Sequence, residues 1–467
     1  MSQVLIVGAG ITGLTAAYEV HRRGQTPLVL EASSRAGGLI HTEQADGFTI
    51  EAGADSVLAS KPAGVDLIRE LGLSNALQDV RPPGGAFVLR GRRLYPLPRP
   101  SLLGIPLTWQ GVASYALLPW HARLRLALER TVPPRPSGED ESVASFFRRR
   151  FGPDTVDLIA QPLLGGIHAG DIEQLSMASL FPRLVEMERR YGRVIGTTDT
   201  RRATTPFASP FQSLRNGMGT LIQALARVLP PDAVAYDTRV LRIARTADGW
   251  RVETHSTSGV RAVEARALIL ACPARVASTL LAPVDRESAD LCARVPYVST
   301  ASIALGWPRA SVAHPLRGTG FVVARPSTGS GRASGNVRIT ACTWVTSKWD
   351  GRAPDDEVLL RAFVGGAHDP DVVALPDEAL ASIARHDVAR VLGVGGEPIL
   401  TRVYRWRDAG AQHLVGHLDR VRRIEQRLAN IGGIFVAGSG FRSVGIPDCV
   451  ADARRAGEES AKYARGR

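Results

Sequence analysis

The spacing of apolar positions changes character several times along this 467-residue chain. Residues 4–7 form a short unbroken apolar run suited to a buried parallel strand. Residues 11–23 then carry helical spacing, and residues 28–30 supply a second apolar run. From about residue 98 to residue 205 the pattern is helical: LPWHARLRLALERTV and ESVASFFRRRFG repeat every 3.6 residues, and PPRPSGED between them reads as a linker. Strand patterns return over 234–243, 249–255 and 260–271, joined by polar turns. The last ends in RALILACP, a strand expected to return to the first, buried sheet. Residues 336–344 and 358–364 alternate like strands of a different sheet, and 432–461 read as strand, glycine-rich turn and helix. Such a sequence of elements predicts a mixed α/β protein with three parts. Segments 1–80, 206–290 and 430–467 form a discontinuous Rossmann-like domain, 98–205 an inserted helical domain, and 81–97 with 291–429 a mixed-sheet substrate domain.

The first strand-turn-helix reads as a dinucleotide site. Gly8, Gly10 and Gly13 stand at GxGxxG spacing, with Ala9, Ile11 and Thr12 between them. The first glycine permits the tight turn, the second lets backbone N–H groups approach a pyrophosphate, and the third lets helix and strand pack closely. The pyrophosphate would rest on the positive end of the helix. Glu31 ends the second strand, about 20 residues after the glycines, where a carboxylate accepts hydrogen bonds from ribose hydroxyls and disfavours a 2′-phosphate. Ser34, Arg35, Gly37 and Gly38 continue as SxRxGG, which points to FAD rather than NAD. EAGADS, with Glu51, Gly53 and Ser56, is a small-residue segment within reach of an isoalloxazine, or else an ordinary turn before a helix. Near the end of the chain Gly438, Gly440 and Gly445 free the backbone, and residues 444–447 precede a helix whose N-terminus can face the pyrimidine carbonyls.

Composition narrows the rest. The hydrophobic fraction of 44% and charged fraction of 22% are those of an ordinary globular protein. A net charge of +12 favours anionic ligands or surfaces, but the arginines are scattered and no nucleic-acid motif is present. Arg148, Arg149 and Arg150 read as a solvated helix end. Cys272, Cys292, Cys342 and Cys449 form no CxxC pair, which argues against a metal site and for reduced thiols. No leader pattern precedes the first strand, so a cytoplasmic protein is expected. The long uncharged stretch 100–120 is interrupted by Gly104, Pro106, Gln110 and Gly111. It reads as a helical core segment, with a shallow membrane-facing helix as the alternative and a spanning helix disfavoured.

The whole chain resembles the oxygen-dependent protoporphyrinogen and coproporphyrinogen oxidases. The segments that carry this are EASSRAGGLI, EAGADS, FFRRRFG, PLLGGIHAGDIEQLSM, GTGFVVA, ITACTWVTSKW, VYRWRDA and GSGFRSVGIPDCV. ITACTWVTSKW and VGIPDCV are closer to the bacterial branch that oxidises coproporphyrinogen III. The resemblance implies an FAD-binding domain of the amine oxidase and porphyrinogen oxidase type. It further implies that Gly8 to Gly13, Glu31, Arg35, Gly38 and Leu39 hold adenosine and pyrophosphate. By the same resemblance Val240 contacts the adenine, Gly53, Ala54, Asp55 and Ser56 run beside the flavin ring, Trp406 lies near it, and Val444, Gly445 and Ile446 cover it. A porphyrinogen substrate, molecular oxygen as acceptor, handover to a ferrochelatase and peripheral membrane contact are implied likewise. Ala52, Ala54, Ala411 and His413 depart from the bacterial pattern, which bears on substrate fit more than on the flavin site.

Flavin carries such chemistry, so no general base is assigned, and the lone His168 is taken as structural. Four propionates on coproporphyrinogen against two on protoporphyrinogen favour a cationic pocket, for which Lys61 is the candidate. Gly320, Phe321 and Val322 are candidates for an apolar wall against the macrocycle. A flavin amine oxidase or carotenoid desaturase shares the glycine motifs, although the C-terminal turn offers only Phe441 as an aromatic. A flavin-bound porphyrin carrier is the non-enzymatic alternative.

Overall fold

The computed structural model describes residues 2–135, 139–196, 210–325, 337–442 and 444–466. Two seven-stranded sheets organise them. The first contains Ser2–Val7, Pro27–Leu30 and Val234–Ala235 on one side of Gly259–Leu270, and Trp250–Ser256 and Arg239–Arg245 on the other. Gly259–Leu270 has two roles. Its first half is antiparallel to Trp250–Ser256, while its apolar second half pairs in parallel with Ser2–Val7 and, at Leu268 to Leu270, with Ile434–Val436. Runs such as Val4, Leu5 and Ile6 are fully buried, as a parallel strand covered on both faces requires.

Helices cover that sheet because their small residues allow close approach. Ile11–Arg22 packs against the final helix, Ile446–Arg465, where a β-carbon on Gly457 would lie 2.9 Å from the Ala16 carbonyl oxygen. Gln25 Nε2 donates to the Ala461 carbonyl at 2.6 Å and fastens the two ends of the chain together. The second sheet runs Leu400–Ala411, Tyr297–Pro308, Glu357–Gly365, Ala341–Trp344, Gly320–Val323, Ala86–Arg90 and Arg93–Pro96. Only Gly320–Val323 with Ala86–Arg90 is a parallel pair within it. One face carries a core with Trp307 and Trp344, and the helical layer, with Phe146, Phe147 and Phe151, packs as a separate core around Val88.

Several expectations need correction. The strand expected over 234–243 is two: Asp237 takes a positive φ of 48°, so Val234–Ala235 pairs with Val29 and Leu30 while Arg239–Arg245 joins a different edge. The strand expected over 336–344 is limited to Ala341–Trp344, and residue 336 lies outside the described residues, as do 136–138 of the linker and 197–205 of the helical segment. Residues 100–120 are not one core helix. Leu103 and Gly104, both at positive φ, turn a hairpin of Ser101–Leu102 and Ile105–Pro106, followed by a short helix, Trp109–Ala113. Trp109 and Trp120 are exposed while Tyr115, Leu117 and Leu118 are buried. Among the described residues no helix is long and apolar enough to cross a membrane.

The arginine run is not a solvated end either. Arg150 is 0% exposed and lies between Glu129 (2.6 Å) and Glu188 (2.8 Å), with Nη2 donating to the Gly192 carbonyl. Arg149 pairs with Glu141 and Glu188, both at 2.6 Å, and Arg148 with Glu173 at 2.6 Å. Carboxylates from three distant segments reach the last turn of Val143–Phe151, which a local reading of three like charges could not anticipate.

Candidate active site

The glycine loop is shaped by backbone contacts. Gly8 has φ +103°, and a β-carbon there would lie 2.7 Å from the Ala271 carbonyl oxygen at the end of the returning strand. On Gly13 it would overlap the Gly8 carbonyl, so both positions need glycine. Gly10 is different: a β-carbon would meet nothing within 4 Å. Gly10 caps Ile11–Arg22 without any side-chain hydrogen bond; its parallel bridge with Gly37 brings the Gly37 carbonyl towards Ile11 N–H, while among the described residues the N–H groups of Thr12 and Gly13 have no acceptor outside the helix. Open space beside orphan amides at a helix N-terminus is the cradle a pyrophosphate requires.

Around this cradle the expected cofactor residues form one connected line. Glu31 Oε2 accepts from Ala9 N at 2.7 Å, and Oε1 accepts from Ser33 N and Oγ. Thr238 N donates to the Glu31 carbonyl at 2.8 Å, two residues before Val240. Gly37 N donates to the Ala9 carbonyl, Gly38 lies against Gly10, and Arg35 Nη2 donates to the Gly38 carbonyl at 3.0 Å. Leu39 is exposed, and its carbonyl lies so close to Gly53 that a β-carbon there would overlap it. That same β-carbon would sit 3.4 Å from the Trp406 ring.

The segment after Gly53 is irregular, so its carbonyls need donors from outside a ladder. Side chains supply them. Arg361 Nη1 donates to Glu51 O (2.6 Å) and Gly53 O (2.8 Å), while Trp406 Nε1 (2.9 Å) and Ser302 Oγ (2.7 Å) both donate to Ala52 O. Ser213 Oγ donates to Asp55 O at 2.6 Å. The Asp55 carboxylate pairs with Lys348 at 2.9 Å and Arg361 at 3.4 Å and accepts from Ser56 Oγ at 2.7 Å. Burial opposes its ionisation, but Lys348 and Arg361 outweigh that and hold the carboxyl well below the usual range. Glu51 behaves oppositely: burial raises it despite Arg352 at 3.4 Å. Sequence reasoning missed Ser302, Arg352 and Arg361, although Arg361, alone and charged within the apolar run LLRAFVG, was a visible signal.

The far side of the site is the turn before the last helix. Gly438 N donates to Asp452 Oδ2 at 2.9 Å, and Gly438 lies against Thr12 of the glycine loop. Gly445 is the N-cap of Ile446–Arg465 with no side-chain bond, Pro447 is in its first turn, and Val444 is half-buried beside it. Lys61 pairs with Asp448 of that same turn at 2.6 Å. Phe321 is 2% exposed and packs in the core with Trp307 and Trp344, whereas Val322 packs on the helical layer. A β-carbon on Gly320 would overlap the Cys342 carbonyl. His168 ends a short helix, Gly166–His168, that follows a π-helical stretch, Val156–Gly165. Its Nδ1 is buried with no hydrogen-bond partner among the described residues. Burial first, then the neighbouring His413 and Lys61, push its pKa down to about 4.

This combination of a parallel sheet buried on both faces, an uncapped glycine cradle and a carboxylate at the end of the second strand is that of a dinucleotide-dependent oxidoreductase. A family model of flavin containing amine oxidoreductases matches residues 11–460, and the chain belongs to that family, with FAD as its cofactor. It is 34% identical to coproporphyrinogen III oxidase of Bacillus subtilis (strain 168) over 98% of each chain. It is 28% identical to the chloroplastic protoporphyrinogen oxidase of Nicotiana tabacum, covering 97% of this chain and 84% of that one. A solved structure from Exiguobacterium sp. 255-15, provisionally named a protoporphyrinogen oxidase, superposes with a TM-score of 0.85 at 32% identity, covering 99% of both chains.

The residues fit FAD: the cradle has room where the cofactor needs it and unpaired donors where the phosphates carry charge. Bound there, FAD supplies acceptance of an electron pair and a proton from a substrate C–H bond. Gly10 separates folding from binding. Gly10→Ala is expected to leave the thermal midpoint of the apoprotein unchanged while weakening FAD at least tenfold, about 1.4 kcal/mol, in a fluorescence-quenching titration. Gly13→Ala is expected to yield no folded protein.

Burial also lowers His413 and His417, the latter further through His413 beside it. Unfolded imidazoles take a proton near pH 6.5, whereas His168 in the folded protein resists it to about pH 4. The stability these groups contribute is complete above about pH 6.5 and is lost as pH falls through that interval. The apoprotein midpoint is expected to drop between pH 7 and pH 4.5, and to drop less in His168→Asn; an equal slope in the variant contradicts the assignment.

Proposed function

We propose that this protein oxidises a porphyrinogen to the porphyrin in haem biosynthesis, with coproporphyrinogen III as the preferred substrate, FAD as cofactor and O2 as final acceptor. The observation that carries this reading is the 34% identity over 98% of both chains to a coproporphyrinogen III oxidase, with lower identity to the chloroplastic protoporphyrinogen oxidase. Six electrons leave the macrocycle in three turns, and three O2 become three H2O2. The chain's own groups act by placement and field: the donors on residues 51–55 hold the flavin-side segment, and buried cations outnumber carboxylates there, Lys348, Arg352 and Arg361 against Glu51 and Asp55. Lys61 is assigned to a substrate propionate in exchange for Asp448, and Gly320, Phe321 and Val322 to the apolar support of the macrocycle. A ferrochelatase is the enzyme class that consumes the product.

The same proposal includes peripheral contact with an anionic membrane. From Arg81 to Arg130 the chain carries eight arginines and a single acid, Glu129, which is buried. Trp109, Trp120, Leu124 and Leu128 are exposed, Trp120 at 71%, and Arg90 Nη1 donates to the Leu117 carbonyl, tying this segment to a hairpin tip with exposed Arg92 and Arg93. Apolar anchors beside cations suit anionic lipid.

Porphyrin fluorescence from the FAD-loaded enzyme in aerated buffer tests the reaction. The expected result is a kcat/KM at least tenfold higher for coproporphyrinogen III than for protoporphyrinogen IX, about 1.4 kcal/mol of transition-state binding. The reverse preference reassigns the substrate, and no fluorescence with either overturns the reading. Co-sedimentation with phosphatidylglycerol but not phosphatidylcholine vesicles is expected for the lipid contact, with loss in the Trp120→Ser/Leu124→Ser double variant. Absence of sedimentation with both removes the membrane contact and leaves the reaction untouched.

A further inference from the structure

The chain between the Leu400–Ala411 strand and the His417–Ile431 helix is bonded on two sides. Towards the helical layer, Ser176 N donates to the His413 carbonyl (2.8 Å), Val415 N to the Gln174 carbonyl (3.0 Å), Gly416 N to Asp140 Oδ2 (3.0 Å) and Gln412 Nε2 to the His168 carbonyl (2.9 Å). Towards the cofactor turn, two imidazoles take over. His413 Nε2 lies 2.9 Å from the Ser439 carbonyl oxygen and His417 Nε2 lies 2.6 Å from that of Phe441. Both rings are 0% exposed and stack with centroids 3.8 Å apart and planes 12° from parallel. A carbonyl only accepts, so both Nε2 atoms carry the hydrogen. His413 Nδ1 is then the acceptor for Ser179 Oγ–H at 2.9 Å, which fixes its tautomer.

In a trans peptide the C=O and N–H groups point in opposite directions. Holding the Ser439 and Phe441 carbonyls towards the histidines therefore turns the N–H groups of Gly440 and Arg442 away from them. At the other end of the turn, Gly438 is held by Asp452 and lies against Thr12 of the glycine loop. We propose that His413 and His417 are paired positioning residues that set the peptide planes of the 438–441 turn for the flavin and join that turn to the helical layer. This rests on the flavin site and not on which porphyrinogen is oxidised.

The test compares His413→Phe, which keeps a flat ring against His417 without the N–H donor, with His413→Gln, which returns a donor near the Nε2 position. Two readouts besides turnover are needed: FAD affinity of the apoprotein and the flavin reduction potential of the holoprotein. His413→Phe is expected to bind FAD at least tenfold more weakly with a displaced potential, and His413→Gln to recover most of both. A folded His413→Phe with wild-type affinity and potential overturns the proposal, as does equal loss in both variants, which would show that returning the donor restores nothing. Should His413→Phe not fold, Ser179→Ala decides: releasing the tautomer is expected to weaken FAD about threefold and shift the potential in the same direction, and wild-type values overturn the proposal.

Discussion

Much of this architecture depends on one guanidinium. Arg361 rises from the second sheet and donates to two carbonyls of a segment that leaves the separate Thr42–Ala45 and Phe48–Glu51 hairpin, while facing the carboxylate of Asp55. Beyond Glu51, which ends a strand paired with Thr42, residues 52–55 leave the ladder, and their buried carbonyls would be costly without a donor. Arg361, Trp406, Ser302 and Ser213 make up that deficit from four separate stretches of chain. The ion pairs here are expensive to desolvate, and their worth lies in geometry: removing one member would leave the other charge buried and unpaired. The second sheet and the Phe211–Leu214 strand both hold this segment, so its shape is tied to their relative placement.

The helical layer reaches the same place by a different route. Its contacts run through the 412–417 chain into the carbonyls of the last turn, and from there to Thr12 beside the glycine loop. The helical layer and the turn before the last helix thus share backbone, which limits how far either can shift alone.

What was legible in the sequence follows from how local each constraint is. Gly8 and Gly13 could be read because the positive φ of Gly8 and the contact of Gly13 with the Gly8 carbonyl lie within six residues, although Gly8 also meets the distant Ala271 carbonyl. The last helix was legible for a similar reason, since Pro447 suits a first turn and the glycines before it free the chain. Arg150 was misread because Glu129 and Glu188 come from segments with no local pattern linking them to it. Arg361 and Lys348 meet Asp55 across about 300 residues, and no periodicity carries that information. The interruption at Asp237 was hidden because β-favouring residues, Val234 and Tyr236 before it and Thr238 and Val240 after it, stand on both sides; the positive φ marks the break.

The double pairing of the Gly259–Leu270 strand has a consequence for the life of the chain before it is an enzyme. Its antiparallel half closes with a neighbour a few residues away, and can form early. Its parallel half needs residues 4–7 on one edge and 434–436 on the other, so the sheet beneath the cofactor is complete only when nearly the whole polypeptide has been synthesised. Until then its Leu268, Ile269 and Leu270 edge is an unpaired apolar strand, the kind of surface that chaperones hold and that aggregation exploits. Cofactor loading therefore waits until residues 434–436 have emerged, and flavin binding the completed sheet draws the newly made chain away from that hazard.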